Sequence, residues 1–156
     1  MIKIYLSLVY PNLLYSISTW GATCDTILKP LQILQNRILR SICGLNRRTS
    51  TAPVFREHGL LNISEIYHYI TASYIYKDLN GINFHDFSYR QVAGMLTRSD
   101  DGNFLSLHST NILNSRQSVR YRGIELYNAI PLRIRNSGSF NSFKFGLKQY
   151  LLAGAG

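Results

Sequence analysis

Apolar residues recur along this chain at intervals of three and four, with a few sharp interruptions, and that period predicts helices. Between Ile2 and Trp20 the recurring positions are Ile4, Leu8, Leu14 and Ile17. Pro11 falls among them and should kink or restart the helix, because proline lacks an N–H and crowds the preceding turn. Gly21 should end it. A second helix is expected from Asp25, read as its cap, with a stripe of Ile27, Leu31, Leu34, Ile38 and Ile42 and a stop at Gly44. A short helix over Ala52 to His58 follows. Asn62 with Glu65 three residues later has the form of a capping box and opens a longer helix whose stripe is Ile63, Ile66, Tyr67, Ile70 and Tyr74. Tyr67 and Tyr74 should fill core. Asn80-Gly81 closes that helix.

From there to about Arg116 the period is lost, and Gly94, Asp100-Asp101-Gly102 and scattered Ser and Asn read as loop with room for short strands. Ser118 to Tyr121 is the best strand candidate. Ile124 to Ile130 should be helical until Pro131, and a last helix carries Phe143, Leu147, Tyr150 and Leu151. The expected fold class is therefore mainly α: a small helical domain with an irregular loop region and a short β-hairpin at most. With 156 residues and a mean hydropathy of −0.06, the chain can bury one core, and one compact unit is expected.

Charge changes the picture. Seventeen Lys and Arg stand against 8 Asp and Glu, a net +9 with a pI near 9.8, and Arg outnumbers Lys by 12 to 5. Such an excess is the electrostatic footprint of a nucleic-acid binder, since each neutralised phosphate releases counterions. The guanidinium fork also fits phosphate oxygens two at a time. Residues 1–50 carry +5, residues 51–115 carry −2 and residues 116–156 carry +6, so two basic ends flank a mildly acidic middle. Meeting in the fold, they would form one basic face. Arg37, Arg40, Arg47 and Arg48 cluster in the first end; Arg116, Arg120 and Arg122 lie in the second, with Tyr121 interleaved as a ring able to stack on a base.

Candidate chemistry is sparse. Asp100-Asp101 is the only acidic doublet, and with turn-forming neighbours and no third acid it reads as a solvated turn; a metal-dependent nuclease built on it is the weakest alternative. His58, His68, His85 and His108 match no zinc-ligand spacing, and Cys24 and Cys43 read as ordinary thiols. No glycine-rich phosphate loop or nucleophile elbow is present, so neither cofactor, metal nor small-molecule substrate is expected. The apolar start is broken by Pro11 and several tyrosines and lacks an A-x-A-like cleavage site, which favours an intracellular protein, nuclear or cytoplasmic, over a secreted or membrane one.

Several segments in order resemble the C-terminal part of non-LTR (LINE-type) retrotransposon reverse transcriptases, particularly the jockey-like group. Tyr5-x-Ser7-Leu8-Val9-x-Pro11 with Tyr15 and Trp20-Gly21 resembles the helix after their catalytic palm. Leu31-Gln32-x-Leu34-Gln35-Asn36-Arg37-x-Leu39-Arg40 resembles their Q-N-R-x-L-R helix. Thr97-Arg98, Arg120-Tyr121-Arg122-Gly123, Tyr127-Asn128-x-Ile130-Pro131, and Ser142-Phe143-Lys144 with Leu147-Lys148-x-Tyr150-Leu151 resemble later segments. Tyr127 and Ile130 depart from the family's Trp and Leu but keep an apolar body.

The resemblance implies a thumb-like helical pair over residues 1–45 and a C-terminal extension over 46–156 packed on it. Together they would grip RNA or DNA beside the palm and fingers of a polymerase whose active carboxylates lie upstream. The palm's Tyr/Phe-x-Asp-Asp hairpin is not in this chain, and Ser99-Asp100-Asp101 is not its equivalent, so the fragment is expected to be non-catalytic. Met1 would then be an internal methionine or the start of a truncated frame. The alternative is a degenerate transposon remnant or protein-interaction module whose uncovered apolar stripes seek a partner.

Overall fold

A computed structural model describes residues 2–82, 89–93, 103–107 and 119–154, and it is mainly helical. The chain divides into two compact units, Met1–Tyr67 with Tyr150–Gly156, and His68–Gln149. The division falls between Tyr67 and His68, inside one continuous helix.

In the first unit the N-terminal segment is broken as Pro11 requires. Helix α1 (Ile2–Ile4) passes into a π-helical turn over Tyr5–Val9, then α2 (Tyr10–Leu14) and α3 (Ile17–Trp20). The Tyr10 N–H reaches back five residues to the Tyr5 carbonyl, widening the helix one residue ahead of the proline. Ser16 sits at φ 50° between α2 and α3, and the Trp20 indole donates to the Tyr15 carbonyl at 2.8 Å across the break. Gly21 serves through its size: a Cβ there would lie 2.5 Å from Cδ2 of Tyr67 and 2.6 Å from the Ile17 carbonyl oxygen.

Helix α4 (Asp25–Ile42) starts one residue earlier than a cap at Asp25 would give, with extended Cys24 in the capping position. Its buried seam also differs from the apolar stripe. Gln35 and Leu39 are buried, whereas Ile27 and Leu34 are 64% and 50% exposed. The selecting force is polar. Gln35 Nε2 donates to Tyr5 Oη at 2.7 Å and to the Leu61 carbonyl at 3.0 Å, while Gln32 Oε1 accepts the Ile63 N–H at 2.9 Å. These bonds accompany a rotation of α4 that places Gln35 and Leu39 inward and leaves Ile27, Ile33 and Leu34 exposed.

Helix α5 (Ala52–Glu57) leads to α6 (Ile63–Leu79), whose start is the expected capping box. The Glu65 N–H donates to Asn62 Oδ1 at 2.9 Å and Glu65 Oε2 accepts the Asn62 N–H at 2.8 Å. Along α6, Ile63, Ile66, Tyr67, Ala72, Ile75 and Tyr76 are buried, so burial extends beyond the predicted stripe; Ile70 and Tyr74 are half-buried.

The second unit holds the later part of α6, strands β1 (Tyr89–Ala93) and β2 (Asn103–Leu107), α7 (Val119–Asn128), α8 (Leu132–Arg135) and the first part of α9 (Phe140–Gly154). The strands pair antiparallel with Gln91 opposite Leu105. Asn128 brackets β2: its Nδ2 donates to the Leu105 carbonyl at 3.0 Å and its Oδ1 accepts the Leu105 N–H at 3.1 Å.

Over Val119 to Tyr121 the expected strand is not formed, because these residues open α7; Ser118 lies outside the described residues. Helical spacing there aligns Gly123, Ile124 and Tyr127, all buried, and a Cβ on Gly123 would already be 3.0 Å from Thr71 Cγ2. Tyr76 stacks on Phe143 with centroids 4.2 Å apart and donates its hydroxyl to the Ser137 carbonyl at 2.6 Å. Phe143 and Leu147 of the last predicted stripe are buried, while Tyr150 is exposed.

The buried amide of Gln35 is the testable element. Gln35→Leu strands the Tyr5 hydroxyl and the Leu61 carbonyl without their donor, and unsatisfied buried groups cost about 1–3 kcal/mol. Urea denaturation should show that loss, with Ile33→Ala on the exposed side of α4 shifting the midpoint little; equal midpoints for Gln35→Leu and the parent would refute the assignment.

Candidate nucleic-acid interface

The best-defined basic cluster is built by the end of α4. Its last residues are stopped by Gly44, at φ 65°, a conformation that a Cβ would strain. The Leu45 N–H returns to the Arg40 carbonyl at 2.8 Å and the Gly44 N–H to Ser41 at 3.4 Å, the paired bonds of a Schellman ending. A turn follows, closed by the Thr49 N–H on the Asn46 carbonyl at 3.0 Å. Arg47 and Arg48 occupy its two central positions and are exposed.

Arg40 has a different task from its neighbours. It is half-buried, and its Nε donates to the Thr49 carbonyl at 2.8 Å, so it pins the far side of the turn to α4. Arg37, one turn earlier, is exposed. The unsatisfied carbonyls of a helix C-terminus also favour cations nearby, by about 0.3–1 kcal/mol each. Arg37, Arg47 and Arg48 are thus available to a ligand, and Arg40 positions two of them.

The second predicted cluster is only partly described. Arg116 lies outside the described residues, as do Asp100-Asp101, His85, His108 and Thr97-Arg98. Arg120 and Tyr121 sit on the backbone of α7, with their side chains outside the described set. Arg122 is exposed on that helix and acts electrostatically on His68.

Sequence reasoning passed over several residues that geometry brings forward. Lys29 of α4 and Arg56 of α5 line one cavity of about 520 Å³, together with Asn36, Phe55 and Glu65. Its rim includes Ser50 and Thr51, the residues that follow directly on the Arg47-Arg48 turn. Lys29 and Arg56 stand 27 positions apart in sequence, so nothing in local spacing could have paired them. Elsewhere, Lys77 and Lys144 lie over the Phe140 ring at 4.7 and 5.4 Å.

Protein-family models, curated proteins and solved structures yield no match to this chain. Among the described residues, no three His, Cys, Asp or Glu side chains gather where they could hold a metal, and no helix is long and apolar enough to cross a membrane. Cys24 and Cys43 are free thiols.

Burial sets several ionisable groups off their ordinary values, raising Tyr5 and Tyr10 among others. Tyr127 is pushed up to about 12, chiefly by burial and against the opposing charge of Arg135. Burial raises the Glu65 carboxyl, with the Asn62 N–H opposing. Burial lowers the His68 imidazole below 6.5, and the positive charge of Arg122 adds to the shift.

This lowering carries a pH signature. As pH falls through 6.5, the unfolded chain takes up a proton at His68 that the folded chain resists, so stability present above that pH is lost on acidification. Glu65 acts with the opposite sign. Thermal melts followed by circular dichroism should show a smaller fall in Tm between about pH 7.5 and 5.5 for His68→Gln than for the parent. Parallel pH profiles for the two proteins would exclude the His68 contribution.

Proposed function

We propose that this chain is a non-catalytic, nucleic-acid-gripping part of an RNA-directed DNA polymerase of the non-LTR retrotransposon kind. In this role it contacts template, primer or target strand through basic groups. One observation carries the reading: the Arg40 guanidinium and the Gly44 ending hold Arg47 and Arg48 outward on a fixed turn beside exposed Arg37. A preset pair of forks can engage successive phosphates without first losing backbone freedom. The net charge of +9 supports the same reading.

The palm and fingers of the parent polymerase are proposed as the protein partner. The supporting observation is the apolar face of the first unit, where Leu8, Tyr15 and Leu34 line a groove of about 470 Å³ and are 65%, 78% and 50% exposed. Exposed apolar residues gathered in one groove are the kind of surface that partner proteins cover. The groove also favours the second reading, an interaction module or transposon remnant with no independent role. The two readings separate on whether the isolated chain, folded and monomeric, retains affinity for nucleic acid.

Titration of a fluorescently labelled single-stranded RNA tests the proposal. Log affinity should fall linearly with log salt at about 0.7 per phosphate contacted, and Arg47→Gln with Arg48→Gln should reduce that slope by about 1.4. Arg40→Gln should weaken binding by releasing the turn. Affinity indifferent to salt, or a slope unchanged in the double variant, would rule out this interface.

A further inference from the structure

The cavity beside the Arg47-Arg48 turn has features that phosphate binding alone does not use. Its volume of about 520 Å³ lies in the range of small-ligand pockets, commonly about 300–1,000 Å³. Phe55, Leu28 and Leu60 supply apolar and aromatic wall. Asn36 and Glu65 supply a polar edge. The Asn36 Oδ1 accepts from Gln32 Nε2 at 3.0 Å, which leaves the Asn36 amide N–H groups as donors. One Glu65 oxygen is held by the Asn62 N–H, and the other remains as an acceptor. Lys29 and Arg56 add positive charge to the lining.

We infer that this cavity is a subsite for one unstacked nucleobase of the strand held by the basic turn. The base lies against the Phe55 wall, its donor and acceptor edge meets Glu65 and Asn36, and its flanking phosphates meet Lys29 and the turn. The inference rests on the proposed grip and adds to it: phosphate contacts hold any strand, whereas a pocket for a base requires that the base be single-stranded and free to leave the stack. Chain connectivity supports the pairing of the two features. Arg48 is two residues from Ser50 on the cavity rim, within the span of about one nucleotide step at roughly 3.3–3.6 Å per extended residue.

The test compares the complete chain bound to a single-stranded RNA and to an abasic strand of the same length and charge. The parent protein should bind the abasic strand about 10-fold more weakly with the same salt slope, since the stacking contact of one base is lost while the phosphate contacts remain. Ser64→Trp, which places an indole at the cavity lining from an exposed position on α6, should bind both strands as the parent binds the abasic one. Asn36→Leu, which removes the polar edge without filling the space, should narrow the difference between strands; circular dichroism confirms folding of each variant. Equal affinity of the parent for both strands, with a normal salt slope, overturns the base subsite and leaves the phosphate grip intact. Loss of binding to both strands at low salt overturns the two together.

Discussion

The placement of α4 depends on one buried side chain, the amide of Gln35. An apolar residue there could have packed at many rotations of the helix, whereas an amide that must reach both the Tyr5 hydroxyl and the Leu61 carbonyl accepts only one. That rotation decides what every other residue of the helix faces. Because successive helical residues are about 100° apart, Gln35, Asn36 and Arg37 diverge: the first enters the core, the second the cavity, the third solvent. One consecutive tripeptide thus supplies stability, a polar pocket edge and an exposed cation.

The turn at the end of α4 depends on the same rotation. Arg40 can reach the Thr49 carbonyl only if the helix presents it toward the following segment, and the Gly44 ending then returns the chain beneath it. Fixing the turn through side-chain and backbone bonds near the helix end leaves Arg47 and Arg48 free of structural duty. Arg40 illustrates why composition alone misassigns roles: three of the four arginines are offered to solvent, and the fourth holds the scaffold that presents two of the others.

Much of the architecture was legible because local rules and tertiary packing agreed. The Asn62 and Glu65 capping box, the Gly44 and Gly81 stops and the break around Pro11 all depend on nearest neighbours, and each stands where its residues indicated. The failures were tertiary. The apolar stripe of α4 and its buried seam do not coincide, because periodicity records that a helix has two sides without recording which one finds a partner. Val119 to Tyr121 looked like a strand because β-branched and aromatic residues favour strands, yet the small Gly123 packed against α6 made a helix the better solution. The cavity was invisible in sequence since its walls come from residues that share no local pattern.

Asn128, which joins α7 to β2, has one further consequence. A two-stranded ribbon exposes backbone donors and acceptors along both flanks, and such a flank is a template on which another chain can lengthen the sheet. By occupying the N–H and the carbonyl of Leu105 at once, the Asn128 carboxamide imitates the missing neighbour and stops growth at that point with a group that cannot itself be extended. A single side chain thereby closes one position on the β2 flank to an added strand.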